Sequence, residues 1–198
     1  ASTMDVLSGG RLDMGVGVGW QREEYDAAGL DFDRRGSLLD HTLDVCTTLW
    51  REQRASYQSP LLSFDNIHQM PKPLQPGGVP IWISGTHRAS TVRRLAQYGP
   101  RWIPWGAEAA NLIEAAPRMR EAVAEAGGST ENFRIVGSLP AVRGDAGEVD
   151  FERSMESLPT SIAAGITDFT FRGTAPRGFD EAVAYFESLV RAFRAAAG

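Results

Sequence analysis

Glycine, hydroxyl and basic side chains are concentrated in the segment Ser84-Gly-Thr-His-Arg-Ala-Ser90. The segment lies between an apolar run typical of a buried strand and a helical pattern. The first N–H groups of a helix have no partner inside it, and the helix N-terminus is partly positive, so such a turn can bind an anion. With Arg88 beside it, and with hydroxyls from three side chains, the turn is predicted to hold a phosphate group. The alternative is that Thr86 or Ser90 merely caps the helix.

A second glycine-rich stretch, Gly15-Val-Gly-Val-Gly-Trp20, could make room for a ligand. Its glycines match only part of a dinucleotide fingerprint, which also needs a helix immediately afterwards. The next long helical pattern begins at Arg34, and this distance argues against a dinucleotide site. Gly17 and Gly19 could instead leave space for a flat ring, with Trp20 as one wall. The alternative is that small residues fill a barrel interior.

Two further groups of residues lie near predicted strand ends or helix starts. Trp102 and Trp105 could line a pocket or simply fill one. A charge cluster runs from Asp31 to Arg35, and such clusters are usually a helix cap with surface ion pairs of little energetic weight. Asp33 is predicted to cap the following helix, and Arg35 could also reach a phosphate group.

Metal and thiol chemistry are not indicated. His41, His68 and His87 show no metal-ligand spacing, and His87 is expected to be solvated or hydrogen-bonded rather than a general acid. Cys46 is the only cysteine, which excludes an intrachain disulfide and a CxxC redox site. Its place on the apolar side of a helix predicts a buried small hydrophobe.

Composition narrows the class of protein. The 198 residues carry a net charge of −5, with 42% hydrophobic and 23% charged residues, as in ordinary globular domains. The negative charge argues against a nucleic-acid partner. The sequence has neither a run of 18 apolar residues nor a signal-peptide pattern, so no membrane partner is predicted and a cytoplasmic location is expected.

The alternation of strand and helix patterns along the chain is the mark of βαβ units and a parallel sheet. Ala1–Leu7 has the pattern of the end of a helix, and five strand patterns follow, whereas a closed TIM-type (β/α)8 barrel needs eight. We therefore predict one α/β domain over residues 1–198, formed by about five C-terminal βα units of such a barrel, and expect further residues upstream. The predicted strands are Leu12–Gly19, Val79–Gly85, Arg101–Trp105, Phe133–Val142 and Ile166–Phe171.

Helical patterns separate most of these strands. The predicted helices are Arg34–Trp50, one that ends at Gly99, about Ala109–Ala126, one around Phe151–Ile162 that Pro159 interrupts, and a last helix. The last helix is predicted to pack on the barrel exterior through Phe179, Val183, Phe186, Leu189, Val190 and Phe193. Residues 51–78 contain no good helix and three closely spaced prolines, so they are predicted to form an excursion with a small hairpin over the barrel mouth.

Short motifs occur in a characteristic order: Leu7-Ser-Gly-Gly-Arg-Leu12, Gly15-Val-Gly-Val-Gly-Trp20, Glu23-Glu24, Phe32-Asp-Arg-Arg-Gly36, Pro71-Lys-Pro73, Pro80-Ile-Trp-Ile83 and Ala96-Gln-Tyr-Gly99. In this order they resemble the luciferase-like monooxygenases, a superfamily of flavin- or deazaflavin-dependent barrels. No single motif is specific, whereas the ordered set is. The resemblance is strong from Ala1 to about Trp105, weaker beyond, and closest to the branch that is expected to use coenzyme F-420.

The resemblance implies an oxidoreductase that transfers a hydride to or from a small organic substrate through coenzyme F-420, or alternatively through FMN. It also implies a homodimer, and it leaves the catalytic residues unassigned because the family's first three strands have no counterpart here. The implied cofactor-binding residues are Gly17, Gly19, Trp20, Arg35, Ser84, Gly85, Thr86, His87, Arg88 and Ala89.

Two other functions remain open at this point. One is a non-catalytic flavin-binding or truncated barrel protein that has lost its reactive half. The other is a barrel enzyme of another kind acting on a sugar phosphate, which fits the loop Gly85–Ala89 but not the ordered motifs.

Overall fold

The structure is a computed structural model that describes residues 1–145 and 147–198. Its strands are β1 (Met14–Val16), β2 (Ala55–Gln58), β3 (Ser63–Ile67), β4 (Ile81–Gly85), β5 (Arg101–Pro104), β6 (Arg134–Pro140), β7 (Val142–Arg143), β8 (Val149–Asp150) and β9 (Asp168–Arg172). Its α-helices are α1 (Ser2–Ser8), α2 (Arg22–Ala27), α3 (Arg35–Arg51), α4 (Ala89–Tyr98), α5 (Ala107–Ala110), α6 (Leu112–Glu125), α7 (Phe151–Ser154), α8 (Leu158–Ala163) and α9 (Phe179–Ala197).

Five of the strands form one parallel sheet in the order β1-β4-β5-β6-β9. Neighbours in this sheet follow one another in chain order, with helices on the connections. This arrangement is the wall of a barrel, whereas a doubly wound sheet would reverse its strand order. The predicted α/β fold with five barrel units is therefore confirmed, although β1 is much shorter than predicted.

The outer face of the sheet packs against the helices. Ile83 of β4 and Trp102 of β5 are at most 1% exposed, and they belong to one apolar cluster with Leu95 of α4 and Met119 of α6. The Trp102 indole donates a hydrogen bond to the Gly85 carbonyl at 2.8 Å, which satisfies its single polar atom. This core fixes α4 behind β4, and so fixes where α4 begins.

The inner face carries a polar and aromatic cluster near the N-terminal ends of the strands. Arg134 of β6 donates two hydrogen bonds to Asp168 of β9, and its guanidinium lies 4.8 Å from the centre of the Trp82 ring. The Trp82 indole donates to Asp13 at 3.0 Å. Hydrogen bonding to Asp168 raises the pKa of Arg134, so its charge is retained. The cluster stands at the opposite end of the strands from the predicted phosphate turn.

Helix α3 is not capped by Asp33, and that prediction is wrong. A short 3₁₀ helix, Phe32–Arg34, precedes α3, and Asp31 caps it by accepting a hydrogen bond from the Asp33 backbone at 2.9 Å. Arg34 then occupies the position before the first turn of α3. Because of this 3₁₀ turn, the acidic N-cap residue is Asp31, which lies two residues before the predicted Asp33.

Two predicted helices are divided. The helix predicted at about Ala109–Ala126 is broken at Asn111, whose backbone (φ −118°, ψ 45°) is not helical, and Pro117 is accommodated inside α6. The interruption associated with Pro159 is confirmed, because Pro159 lies in the first turn of α8, where its missing N–H costs no helical bond.

The excursion at residues 51–78 contains the predicted hairpin, formed by antiparallel β2 and β3. Its position over the barrel mouth was predicted wrongly, since the hairpin packs against α3. The His41 Nε2 atom of α3 lies 2.9 Å from the Ser59 hydroxyl oxygen, and the His41 ring meets Tyr57 edge-on at 5.6 Å. Tyr57 also stacks on Phe64 of the opposite strand, which gives the hairpin an aromatic face to bury.

A buried carboxylate ties α1 to the end of the excursion. Asp5 is 0% exposed and accepts hydrogen bonds from the Leu74 backbone at 2.8 Å, the Gln75 backbone at 3.2 Å and the Gln75 side chain at 2.9 Å. The Gln75 amide also donates to the Leu12 carbonyl just before β1. Burial alone would raise the pKa of Asp5, but these hydrogen bonds outweigh it and lower the pKa.

Helix α9 buries only part of the apolar side predicted for it. Leu189 and Phe193 pack against Leu139 and Met155, as predicted. The remaining residues form an exposed row that we call the α9 stripe: Phe179, Val183, Phe186 and Val190, exposed by 82%, 41%, 52% and 44%. No helix within residues 1–145 and 147–198 combines the length and apolarity needed to cross a membrane.

Candidate functional site

The C-terminal ends of β1, β4 and β5 meet at one edge of the sheet. The register pairs Val16 with Ile83 and Gly85 with Pro104, so the three loops that follow these strands are neighbours. Parallel barrels place their sites at this edge because every strand delivers its loop there. The structure thus brings together the two glycine-rich segments that the sequence singled out.

Helix α4 begins without a side-chain cap. Its N-cap residue is Arg88, whose backbone is extended (φ −133°, ψ 155°) and whose side chain has no acceptor atom. The alternative that Thr86 or Ser90 caps this helix is therefore wrong, because Thr86 lies two residues before the N-cap and Ser90 lies inside the first turn. A partly positive helix end remains beside the exposed guanidinium of Arg88.

One amide of this turn already has an anionic partner. The His87 backbone N–H donates to the Oε1 atom of Glu108 at 3.1 Å, on the exposed side of the loop. Glu108 belongs to α5, which follows β5, and Gly106 brings that loop close enough for a Cβ on it to lie 3.7 Å from the Thr86 methyl carbon. Glu108 was not predicted from the sequence, because it is 21 residues from His87 and no local pattern marks it.

Ion pairs hold α4 in place behind the turn. Arg94 is 5% exposed, and its Nε donates to Asp40 of α3 at 2.6 Å while its Nη2 donates to the Gly36 carbonyl at 2.9 Å. Arg93 contacts the same carboxylate at 2.5 Å. The N-terminus of α4 is therefore set by α3 as well as by the core.

The glycines of the two loops have different roles. A Cβ at Gly85 would lie 2.8 Å from the Thr91 hydroxyl oxygen, a separation at which either the turn or the Thr91 side chain must shift. A Cβ at Gly17 would meet Ser84 at 3.4 Å, an ordinary contact, so Gly17 leaves open space on the inner side of the mouth. Gly19 has φ +70°, a conformation that L side chains rarely adopt.

Trp102 lies in the core, whereas Trp20 and Trp105 lie at the mouth. Trp102 fills the core, as one of the two alternatives predicted. Trp20 and Trp105 are 75% and 65% exposed and follow β1 and β5. Two broad apolar rings thus stand at the open end of the sheet, where a flat ligand could be covered.

Arg35 lies at the first turn of α3 and is engaged locally. Its Nη1 donates to the Phe32 carbonyl at 2.9 Å, and its guanidinium lies 4.0 Å from the centre of the Phe32 ring. Its Nε is buried and has no hydrogen-bond partner among the described residues. Its predicted contact with a phosphate stays a prediction.

The inner side of the mouth also carries polar residues that the sequence analysis missed. Leu139 and Phe171 point toward α9, so their neighbours on β6 and β9 point the other way by strand alternation. These neighbours are Ser138, Thr170 and Arg172, all exposed. The alternation of Phe169, Thr170, Phe171 and Arg172 in the sequence was the available signal.

The histidines and the cysteine stand apart from this mouth or remain solvated. His87 is exposed, as predicted. Cys46 is half-buried and packs against the core, and burial raises the pKa of its thiol, so the thiolate is disfavoured. Within residues 1–145 and 147–198, no three His, Cys, Asp or Glu side chains converge as metal ligands.

Comparison with known proteins agrees with this architecture. An uncharacterized protein of Mycobacterium tuberculosis is 27% identical over 188 residues, which are 95% of this chain and 61% of the relative. The monooxygenase RslO1 of Streptomyces bottropensis superposes with a TM-score of 0.61 at 18% identity, over 98% of this chain and 59% of that one. An F420-dependent secondary alcohol dehydrogenase superposes with a TM-score of 0.59 at 16% identity, over 96% and 64%.

The chain spans about three fifths of the length of these relatives, 59% to 64% in the three cases. The five barrel units therefore correspond to part of a larger barrel in the proteins compared. Residues 1–194 match the family described as luciferase-like monooxygenase. This match covers nearly the whole chain, and the protein belongs to the luciferase-like monooxygenase family.

Proposed function

We propose that this chain forms the phosphate-binding side of a two-electron oxidoreductase that uses coenzyme F-420, with FMN as the second choice, on a small organic substrate. The family contains F420-dependent enzymes and monooxygenases, and membership supports this chemistry at the coarse level. The observation that carries the proposal is the uncapped start of α4, which lies at the mouth beside Arg88 and already holds a carboxylate on the His87 amide.

The residues present fit the phosphate portion of such a cofactor. Backbone N–H groups from Thr86 to Ala89, with the hydroxyl of Ser84 and the charge of Arg88, would bind phosphate oxygens in the manner of other helix N-termini. Gly85 allows the turn to lie against Thr91. The turn would therefore bind and orient the cofactor, and it would transfer no proton.

The ring portion would lie on the inner side of the mouth. Gly17 leaves room beside Ser84, and Trp20 would cover the ring and exclude water. Gly19 bends the loop so that Tyr25 can donate to the Val18 carbonyl at 2.7 Å, which fixes the loop. The chemistry that such a ring supplies when bound is two-electron transfer.

Titration of the 198-residue chain with coenzyme F-420, FMN and riboflavin tests the proposal, with quenching of ligand fluorescence as the readout. We expect saturable binding of a phosphorylated cofactor and weaker binding of riboflavin, which has the ring without the phosphate. No saturable response to either phosphorylated cofactor would contradict the proposal.

A second candidate is a flavin-binding protein without catalytic activity. It needs only the anion-binding turn and the space beside Gly17, and it requires no residue that transfers a proton. The two candidates differ in one measurement. A catalytic protein reduces or oxidises the bound cofactor when a donor or acceptor substrate is added, whereas a binding protein leaves its absorbance unchanged.

A further inference from the structure

Arg172 brings a positive charge to the inner side of the mouth at the end of β9. The preceding residue, Phe171, packs with Leu139 on the outer face toward α9, so strand alternation turns Arg172 to the inner face. The Arg172 side chain is exposed, and no carboxylate of residues 1–145 and 147–198 forms an ion pair with it. Its guanidinium donors are therefore available to a ligand.

The other end of the same face carries a paired arginine. Arg134 of β6 donates two hydrogen bonds to Asp168 of β9, and its guanidinium lies against the buried Trp82 ring. Asp168 lies four residues before Arg172, about 13 Å along the strand. The neutralised cluster thus occupies the lower end of the inner face, whereas Arg172 stands at the mouth, where a ligand enters.

Two hydroxyl side chains accompany Arg172 on this face. Ser138 of β6 and Thr170 of β9 are partners in the strand register, and both are exposed. Thr170 precedes Arg172 by two residues, which is about 7 Å along one face of a strand. The Thr170 hydroxyl donates to the Gly137 carbonyl at 3.2 Å, and its oxygen can still accept a hydrogen bond. A guanidinium with hydroxyls at this separation suits a small acid that carries a polar substituent.

The inner face of β9 is turned toward the space beside Gly17. β1 and β9 lie at the two ends of the described sheet, and the wall of a barrel curves, so their inner faces are directed toward each other. The turn before α4 follows β4, which is three strands from β9, or about 14 Å at the usual strand spacing. A ligand on Arg172 would therefore lie opposite the proposed ring position and apart from the proposed phosphate position.

We infer that Arg172 anchors the substrate in the proposed site, and that it selects small carboxylates by binding both carboxylate oxygens. The inference rests on the proposed function, because it names the substrate class of the same mouth. The planar fork of an arginine matches the two oxygens of a carboxylate in a bidentate pair. A hydrocarbon or a neutral alcohol would leave the guanidinium without a counter-charge in a space from which the ligand displaces water.

Matched pairs of an acid and its amide vary the charge of the ligand at nearly constant shape. Lactate with lactamide, and benzoate with benzamide, are titrated into the 198-residue chain, with the NMR shift of the Thr170 amide as the readout. We expect at least one acid to bind about tenfold more tightly than its amide. Arg172→Gln should abolish this preference, and Arg172→Lys, which keeps the charge without the fork, should retain only part of it.

Arg177→Gln, which removes an exposed charge from the loop after β9, is the matched control and should keep the preference in full. The inference is overturned if the parent chain prefers neither acid to its amide, or if Arg172→Gln keeps the preference. Should Arg172→Gln fail to fold, Arg172→Lys decides in its place: a reduced preference supports the inference, and an undiminished one contradicts it.

Titration of the same variants with coenzyme F-420, FMN and riboflavin separates the inference from the proposed function. Arg172→Gln should bind all three as the parent chain does. If it binds FMN and coenzyme F-420 more weakly and riboflavin equally, Arg172 holds the cofactor phosphate, so the inference is overturned while the proposed function stands. If no variant binds any of the three, the proposed function fails, and an acid preference that depends on Arg172 still establishes the carboxylate site.

Discussion

At the scale of single residues, the distance from a glycine to its nearest neighbour decides whether that glycine serves the stability of the turn or leaves room for a ligand. Gly85 lies against the buried Thr91, whereas Gly17 faces the open inner side of the sheet. The two glycines lie in adjacent loops and would be treated alike by a sequence pattern. Their surroundings assign Gly85 to the stability of the turn and Gly17 to room for a ligand.

Alanine substitution of the two glycines should therefore have opposite consequences. Gly85→Ala places a Cβ 2.8 Å from the Thr91 hydroxyl oxygen and is expected to lower the free energy of unfolding by about 1–3 kcal/mol. Gly17→Ala makes an ordinary 3.4 Å contact and should leave stability nearly unchanged while lowering cofactor affinity. Urea unfolding and fluorescence titration measure the two quantities. Equal stability of the two variants would contradict this assignment.

Substitution of Arg88 tests whether its charge binds the phosphate of the cofactor. Arg88 is exposed, so Arg88→Ala should change the free energy of unfolding by less than about 0.5 kcal/mol. It should weaken binding of FMN and coenzyme F-420 while leaving riboflavin binding unchanged, because only the phosphate is lost as a partner. Arg54→Ala, an exposed charge before β2, serves as the control. A sharp fall in melting temperature with unchanged FMN affinity would make Arg88 structural.

At the scale of elements, helix α1 is attached to the end of the excursion at residues 51–78 through the carboxylate of Asp5. Asp5 bonds both backbone and side-chain groups of Gln75, which in turn holds the Leu12 carbonyl before β1. These contacts join segments about 70 positions apart in the chain. The path into β1, and hence the placing of the Gly17 loop, depends on them.

Asp5→Asn should destabilise the chain in a pH-dependent manner. An amide presents N–H groups where Asp5 must accept, so unfavourable donor–donor contacts replace charge-assisted bonds. The pKa of Asp5 is lowered in the folded state, so its stabilisation is fully present above the unfolded value of about 3.9 and is lost as the pH falls through the folded value. The melting temperature of the variant should lie below that of the parent at pH 7, with a difference that shrinks below about pH 4. Asp26→Asn, at an exposed position of α2, should show no such difference.

At the scale of the whole molecule, the described sheet ends at β1 and β9, and each of these strands pairs with one neighbour among the described residues. The α9 stripe lies on the helix that follows β9, and it exposes two phenylalanines and two valines. Exposed apolar rows of this kind mark association surfaces.

We propose that the chain self-associates through the α9 stripe, in line with the homodimer that the family resemblance implies. Sedimentation velocity should show a larger species whose fraction grows with protein concentration. Replacing Val183 and Phe186 together by lysine should shift the distribution toward the monomer, because charges are not buried without partners. Glu181→Lys, at an exposed position on the other side of the same helix, should leave the distribution unchanged. Unchanged association in the double variant would place the contact elsewhere.

Much of this fold follows from local pattern. The apolar run Val79–Gly85, the alternation in Ile166–Phe171 and the helical spacing after Arg34 each predict an element that the structure contains, with ends displaced by a few residues. The position of the hairpin at residues 51–78 could not be predicted in this way. It depends on Tyr57 meeting His41, which no period within either segment encodes.

The sequence by itself determined the kind of fold, the order of its strands and the place of the turn before α4, because these depend on periodicity and on glycine and helix-start chemistry within a few residues. Only the tertiary structure decided that Glu108 lies on the His87 amide, that Asp5 holds Gln75, and that four of the six apolar residues on the predicted side of α9 are left uncovered. Such contacts depend on strand register and helix length together. A shift of one residue in strand register or in helix length turns a side chain to another face, and local sequence patterns do not fix register and length to within one residue.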